Sequence, residues 1–161
     1  MAPEVTFRPI DEADLPFLFR LYASTRQAEM VMLDWPVEEK QAFLKQQFEA
    51  QHKYYHQVFK KAAFDLVLLD GRPAGRLYVD RREDEIRVID IALLPEHRGR
   101  GIGGKLMGDV LAEGQKAGKP VRIHVERNNP ALHLYHRLGF QPVEDQGVYH
   151  LMEWRPKLPG E

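Results

Sequence analysis

The chain has no cysteine, so disulfide bonds, thiolate metal sites and thiol nucleophiles are excluded. It also has no excess of charge of one sign: the formal net charge is −1 at pH 7 over 161 residues, unlike the basic footprint of a nucleic-acid-binding protein. No apolar run approaches the length of a membrane span, and the first residues do not resemble a signal peptide. We therefore expect one domain over residues 1–161, in the cytoplasm, with no nucleic acid and no membrane as partner.

What the sequence does contain is a succession of apolar patterns separated by turn residues, which predicts strands and helices. The expected strands are Val5–Arg8, Phe64–Leu69, Ala74–Val79, Ile86–Leu93, Val121–Val125, one from Phe140, and Tyr149–Trp154. The expected helices run from Asp11 or Asp14 through Tyr22, from Val37 to Phe59, from Ile102 to Ala117, and briefly near residues 129–138. Turns are expected at 70–73 and 145–147, and the core candidates of the second helix are Phe43, Leu44, Phe48 and Tyr55. The expected order is β α α β β β α β α β β.

The most informative segment is a glycine-rich run, RGRGIGG at residues 98–104, between the strand Ile86–Leu93 and the helix Ile102–Ala117. A glycine-rich turn at a helix N-terminus leaves backbone N–H groups free and lets the chain approach a ligand closely. The helix dipole favours an anion there, and Arg98 and Arg100 add charge that suits phosphate oxygens. The segment therefore predicts a site for a phosphate-bearing cofactor.

One interpretation of this run is a dinucleotide site. Gly99, Gly101 and Gly104 fit the G-x-G-x-x-G fingerprint, and Glu126 stands about 20 residues on, where that fingerprint places an acid. The fingerprint normally opens a domain built from parallel βαβ units. Here it begins at residue 99 of 161, after strands joined by tight turns, which argues against a dinucleotide fold.

The second interpretation adds what lies downstream. Arg98-x-x-Gly101-x-Gly103 is followed by a segment from Asn129 through Leu134-Tyr135 to Gly139-Phe140. With both motifs in this order, the chain resembles the GNAT superfamily of N-acetyltransferases over roughly Ile86–Phe140. The resemblance implies an α/β fold (an α+β mixed sheet splayed near its middle), acetyl-CoA as co-substrate and no metal.

The resemblance also assigns cofactor-binding residues. It implies that the backbone of one strand edge binds the pantetheine arm, that the glycine run binds the pyrophosphate, and that an asparagine binds the arm or caps the next helix. The strand edge comprises Ile91, Ala92 and Leu93, and the asparagine is Asn129, with Asn128 as the alternative. The glycine run comprises Arg98, Gly99, Arg100, Gly101, Ile102, Gly103 and Gly104.

For the chemistry, the resemblance implies a Leu93 N–H that stabilises a developing oxyanion and a Tyr135 phenol that protonates the leaving thiolate. A packed tyrosine on an amphipathic helix is the alternative reading of Tyr135. The candidate general bases are Asp90 and Glu126, ahead of His124, and water serves in some family members. Asp90 interrupts an apolar strand, which fits either a functional carboxylate or one satisfied by a partner.

The acceptor is expected near residues 30–36, an apolar segment in which Asp34 and Trp35 could bind an amine, or simply pack. The resemblance implies acetyl transfer to a primary amine of a small molecule or peptide by direct attack in a ternary complex. The alternatives are a non-catalytic module that binds CoA or a nucleotide, and a dinucleotide-binding protein. A homodimer through the last strands is an analogy with the family.

Overall fold

In a computed structural model, which describes residues 2–159, the strands form one seven-stranded sheet in the order β1-β2-β3-β4-β5-β7-β6. The strands are β1 (Val5–Pro9), β2 (Ala63–Leu69), β3 (Arg72–Arg81), β4 (Ile86–Leu93), β5 (Val121–Glu126), β6 (Gln141–Gln146) and β7 (Tyr149–Trp154). The helices are α1 (Leu15–Thr25), α2 (Gln27–Val31), α3 (Val37–Val58), α4 (Ile102–Ala117) and α5 (Leu132–Arg137), with 3-10 turns at Glu12–Asp14 and Pro95–His97. The sheet is mixed: β4 and β5 run parallel, whereas β1/β2, β5/β7 and β6/β7 are antiparallel. The parallel pair is joined by α4, as a crossover connection requires.

The contacts divide the chain into two compact units. The first runs to Leu77 and includes Ala92–His97, and the second comprises Tyr78–Ile91 and the chain from Arg98 onward. Strands β3 and β4 each contribute residues to both units.

In the first unit, α1 and α3 share a core with β2. Its buried members are Leu18, Tyr22, Leu44, Phe48 and Leu66. The prediction of Leu44 and Phe48 as core residues is confirmed. The prediction for Phe43 is wrong, because its side chain is exposed beside the aromatic ring of Trp35.

Both aspartates proposed as caps of the first helix take part in its start. The Asp11 carboxylate accepts from Ala13 N–H at 2.8 Å, and the Asp14 carboxylate accepts from Asp11 N–H at 2.9 Å. Arg8 from β1 also donates two hydrogen bonds to Asp14, at 2.7 and 2.8 Å. The two aspartates thus form a capping box around the 3-10 turn that leads into α1, and Arg8 ties that turn to the first strand.

The β2–β3 hairpin turns within two residues rather than within the expected 70–73. Asp70 and Gly71 both have positive φ, 50° and 80°, as a type I′ turn requires. Strand β3 therefore begins at Arg72 and includes Pro73, which stands next to the turn, where a missing N–H is tolerated.

In the second unit, α4 packs over β5 at very short range. A Cβ at Gly114 would lie 2.9 Å from the Lys119 carbonyl oxygen and 3.0 Å from Val121 Cγ2, so only glycine allows this approach. The buried carboxylate of Glu85 accepts from Arg122 at 2.7 Å, Arg82 at 2.8 Å and Arg87 at 3.2 Å. Burial alone would raise the pKa of Glu85, but these guanidinium groups hold it below its usual value.

The expected element order is confirmed except for one addition. The short helix α2 lies where the sequence predicts only an interruption of the helical pattern, and none of its residues is buried. The predicted bounds of β4 and α4 are confirmed to the residue. The last hairpin differs slightly: β6 begins at Gln141 and continues through Gln146, so the turn is shorter than 145–147.

Candidate functional site

The glycine-rich run forms the N-terminus of α4, in the second unit. Gly101 is the residue that caps the helix, and Gly99 and Gly101 have φ of 72° and 81°, which L side chains rarely adopt. The Lys105 N–H donates to the Gly101 carbonyl at 3.0 Å. Because that bond closes the first turn, the preceding N–H groups, those of Ile102, Gly103 and Gly104, have no acceptor within the helix.

The glycines of this run fall into two pairs. Within residues 2–159, nothing lies within 4 Å of a Cβ built at Gly99 or Gly101, so this backbone borders open space. A Cβ at Gly103 or Gly104 would meet Leu134 at 3.9 and 3.6 Å, so the first turn of α4 lies close to α5. Arg98 and Arg100 are exposed beside the turn. The run therefore presents open N–H groups and cationic side chains together, as the sequence predicts for an anion site.

Strands β4 and β5 pair only over their first residues and then separate. Their parallel register contains three residue pairs, Ile86↔Val121, Arg87↔Arg122 and Val88↔Ile123. Strand β5 continues to pair with β7 as far as Glu126, while β4 runs on to Leu93. Within the described residues of the second unit, the β4 residues 89–91 therefore have no partner on the β5 side. This parting is the splay expected of the sheet.

Tyr135 is buried on α5, with 4% of its surface exposed and its ring centroid 5.7 Å from that of Phe140. Burial, and to a lesser degree the negative charge of Asp90, raises the pKa of Tyr135 to about 12. The phenol therefore keeps its proton throughout the physiological range. The structure shows the packed tyrosine, with Asp90 within electrostatic range of its hydroxyl, and the role of general acid stays a prediction.

The three candidate bases lie on β4 and β5. Asp90 and Glu126 are half-buried, Asp90 beyond the last β4–β5 pair and Glu126 at the end of β5 opposite Tyr149. His124 Nδ1 lies 3.3 Å from a guanidinium nitrogen of Arg87. Burial and the Arg87 charge lower the pKa of His124, so this histidine is largely neutral near pH 7.

Asn129 occupies the approach to α5. Its side-chain oxygen accepts from Ala131 N–H at 2.9 Å, and its carbonyl accepts from Leu132 N–H at 3.1 Å. This is a local turn in the loop before α5, whose N-cap residue is Ala131 with no side-chain cap, so both roles that the sequence allows for Asn129 stay predictions.

The remaining cofactor candidates on β4 are divided between the units. Ile91 ends the stretch that belongs to the second unit, and Ala92 and Leu93 belong to the first. Within the first unit, Leu94 N–H donates to the Ala74 carbonyl at 2.9 Å, and a Cβ at the neighbouring Gly75 would sit 3.1 Å from Leu93 Cα. Sequence reasoning missed Gly75, which allows β3 to lie close to the end of β4. A lone glycine in a strand does not reveal which residues it approaches.

Asp34 and Trp35, the acceptor candidates, lie in the first unit between α2 and α3 and are exposed. The Trp35 ring makes an edge-to-face contact with Phe43, with centroids 5.6 Å apart. Sequence reasoning placed Phe43 in the core and so missed this pairing.

In residues 2–159, no helix has the length and apolarity needed to cross a membrane. In the same part of the chain, no three histidine or acidic side chains gather as metal ligands.

A family model described as the acetyltransferase (GNAT) family matches residues 22–140, well over half of the chain. The chain belongs to the GNAT acetyltransferase family. The match covers the glycine run, Tyr135 and the segment that holds Asp34 and Trp35, and it extends across both units.

Among characterised proteins, this GNAT chain is 31% identical over 68 residues to the ribosomal protein bS18-alanine N-acetyltransferase of Haemophilus influenzae. That alignment covers 42% of this chain and 47% of the relative, so the chain spans about half the length of the curated relative it matches.

Two solved structures share the GNAT fold of this chain. One is the PaiA N-acetyltransferase of Thermoplasma acidophilum in complex with coenzyme A, with a TM-score of 0.70 at 18% identity, covering 94% of this chain and 99% of that one. The other is the ribosomal-protein-S18-alanine N-acetyltransferase of Escherichia coli, with a TM-score of 0.65 at 18% identity, covering 98% and 97%.

Proposed function

We propose that this protein is an N-acetyltransferase that moves an acetyl group from acetyl-CoA to a primary amine in a ternary complex. The observation that carries the proposal is the N-terminus of α4, where open N–H groups follow two positive-φ glycines whose missing Cβ atoms border empty space. Such a cradle suits a pyrophosphate. Membership of the GNAT family and the coenzyme A bound to the Thermoplasma neighbour support CoA as the ligand.

The proposed cofactor residues are those of the glycine run and of the β4 edge. Backbone N–H groups of residues 99–104 would bind the pyrophosphate, with Arg98 and Arg100 adding charge-assisted contacts. The backbone of Ile91, Ala92 and Leu93 would bind the pantetheine arm. Asn129 would contribute through its side-chain amide, whose NH2 group can donate while the oxygen accepts from Ala131 N–H.

Acetyl-CoA supplies an activated acetyl group as a thioester. The proposed role of Leu93 is to donate its N–H to the carbonyl oxygen as negative charge develops there. The proposed role of Tyr135 is to hold a proton at Oη for the departing sulfur. Its raised pKa keeps the phenol protonated at neutral pH, and because so high a pKa makes a weak acid, hydrogen-bond donation to the sulfur precedes any proton transfer.

An amine attacks only as its neutral form, so a group must accept its proton. We propose Asp90 or Glu126 for this step, because both are half-buried carboxylates on the strands that part. His124 is less suited, since Arg87 occupies one side of its ring. Asp34 and Trp35 are proposed to bind the acceptor.

The acceptor is proposed to be a small-molecule or peptide amine. The names of the relatives favour a peptide N-terminus, since the Haemophilus and Escherichia proteins are ribosomal-protein alanine N-acetyltransferases. We further propose that residues 1–161 act as one domain in the cytoplasm. A homodimer through the last strands remains an expectation from the family resemblance.

The test is release of free thiol from acetyl-CoA by the purified protein, with and without a panel of primary amines and peptides. We expect amine-dependent release, and we expect Tyr135→Phe to lower kcat by about a hundredfold with little change in KM for acetyl-CoA. Tyr78→Phe, which alters another buried tyrosine, is the matched control. Binding of acetyl-CoA without thiol release for any amine would instead indicate a non-catalytic CoA-binding module.

A further inference from the structure

The first unit exposes a run of apolar side chains between α2 and the first turns of α3, here called the Trp35 patch. Its members and their exposed fractions are Val31 at 70%, Met32 at 83%, Trp35 at 40%, Val37 at 70% and Phe43 at 36%. Single exposed apolar residues are ordinary, but a cluster of this kind marks an interaction surface. The edge-to-face contact of Trp35 with Phe43 holds two of these side chains in a fixed arrangement.

A groove continues from the patch into the first unit. It is lined by residues of α1, α2 and α3, among them Tyr22, Met30, Phe43 and Leu44. Phe43 belongs to both the groove and the patch, so the two form one surface. The basic residue at the groove, Arg26, stacks over the Tyr22 ring at 5.6 Å and pairs with Glu29 at 3.2 Å, which offsets its charge.

The charge around this surface is mainly negative. Three exposed carboxylates, those of Asp34, Glu38 and Glu39, occur within residues 31–40 against one half-buried lysine, Lys40, while the Glu29 carboxylate is paired with Arg26. The helix dipole accounts for Glu38 and Glu39 in the first turn of α3. It does not account for Asp34 beside Trp35, nor for the exposed apolar side chains in the same stretch of chain.

We propose that the Trp35 patch and its groove bind a cationic peptide segment with apolar side chains, and that this segment belongs to the acceptor. An apolar side chain packs against Trp35 and Phe43, while lysine or arginine side chains of the segment lie near Asp34 and Glu39. The inference rests on the proposed function and narrows its acceptor to basic peptides. The near-neutral charge of the whole chain does not oppose it, because the complementary charge is local.

Other occupants fit this surface less well. A nucleic acid or an anionic lipid surface would be repelled by the carboxylates. A second copy of the same surface, related by a two-fold axis, would bring these acids against one another.

The test is fluorescence anisotropy of a short labelled peptide rich in lysine and leucine, titrated with the full-length protein without acetyl-CoA. Two analogues, one with each lysine replaced by glutamate and one with each leucine replaced by serine, separate the charge from the apolar contribution. We expect the parent peptide to bind and both analogues to bind at least about tenfold more weakly. Equal binding of all three peptides, or no binding of the parent, would overturn the proposal.

Two variants locate the site. We expect Trp35→Ala to weaken peptide binding at least about fivefold, and Asp34→Asn combined with Glu39→Gln to weaken it about threefold at low salt and little at high salt. The matched controls are Tyr54→Ala, an exposed aromatic residue farther along α3, and Glu49→Gln, an exposed acid on the same helix. If the controls weaken binding as much as the variants, the peptide binds elsewhere and the proposal fails.

This assay is independent of the transferase proposal. If acetyl-CoA raises the melting temperature and amines are acetylated, but the cationic peptide does not bind the Trp35 patch, only the acceptor inference is lost. If the peptide binds but acetyl-CoA does not, the transferase proposal is lost instead.

Discussion

Gly75 of β3 and Ala92 of β4 approach so closely that a Cβ on Gly75 would overlap the Ala92 carbonyl oxygen. The same atom would lie 2.9 Å from Leu93 Cδ2 and 3.1 Å from Leu93 Cα. Any side chain at position 75 would therefore displace the end of β4, which is the segment proposed to bind the acetyl group.

We expect Gly75→Ala to destabilise the protein by about 1–3 kcal/mol and to lower kcat more than it raises KM for acetyl-CoA, because the Leu93 N–H is moved. Gly108→Ala is the control. It lies inside α4, where a Cβ meets nothing within 4 Å, and alanine there should stabilise by about 1 kcal/mol. Denaturant unfolding and steady-state kinetics measure both. Unchanged kcat in a folded Gly75→Ala variant would contradict the proposed role of this strand end.

The pKa of Tyr135 should respond to Asp90. Burial is the larger cause of its value of about 12 and Asp90 the smaller, so in Asp90→Asn the pKa should fall yet stay above the usual 10.0. Because the folded state holds this proton more tightly than the unfolded chain, the resulting stabilisation is complete below about pH 10 and is lost as the pH rises toward 12. NMR of tyrosine ring carbons against pH measures the shift. A pKa that does not change in Asp90→Asn would show that the two groups do not interact.

His52 should make the protein less stable in mild acid. Burial, with the charges of His56 and Arg76, lowers the pKa of His52 below 6.5, and its buried Nδ1 has no hydrogen-bond partner in the described part of the chain. Below pH 6.5 the unfolded chain binds the proton and the folded chain resists it, so stability falls as the pH decreases. Urea unfolding between pH 7 and pH 5 should show a shallower decline in His52→Gln than in the exposed-residue control His133→Gln. Parallel declines would rule out His52 as the source.

The sequence predicts most of this fold because elements that bury many side chains have clear apolar periodicity. The bounds of β4 and α4 follow from continuous apolar and helical runs next to glycine and proline. Helix α2 escapes prediction because it buries none of its residues and therefore has no amphipathic pattern. The predicted length of the β2–β3 turn is too great because Pro73 suggests a longer loop. In the structure, two residues with positive φ, Asp70 and Gly71, already complete the turn.

The candidate site is predictable where a motif carries it and not where distant residues meet. The glycine run and Tyr135 are evident from local spacing. Phe43 fits the helical core pattern and yet is exposed beside Trp35, and Gly75 has no local signal at all. These two positions depend on which strand or loop approaches them, and sequence spacing does not contain that information.

The central claim is that the N-terminus of α4 binds the phosphates of acetyl-CoA, and thermal unfolding with and without acetyl-CoA tests it most directly. Two glycines of the same helix form a matched pair, since Gly101 at its start and Gly118 at its end have φ of 81° and 68°, and a Cβ at either meets nothing within 4 Å. Gly101→Glu and Gly118→Glu therefore introduce similar backbone strain and the same charge, but only the first faces the proposed pyrophosphate.

Saturating acetyl-CoA should raise the melting temperature of the wild type and of Gly118→Glu by about 5 °C or more, because a ligand that binds only the folded state stabilises it. The rise should vanish in Gly101→Glu. An equal rise in both variants, or no rise in the wild type with millimolar acetyl-CoA or CoA, would contradict the account, and a rise with NAD alone would favour a dinucleotide site.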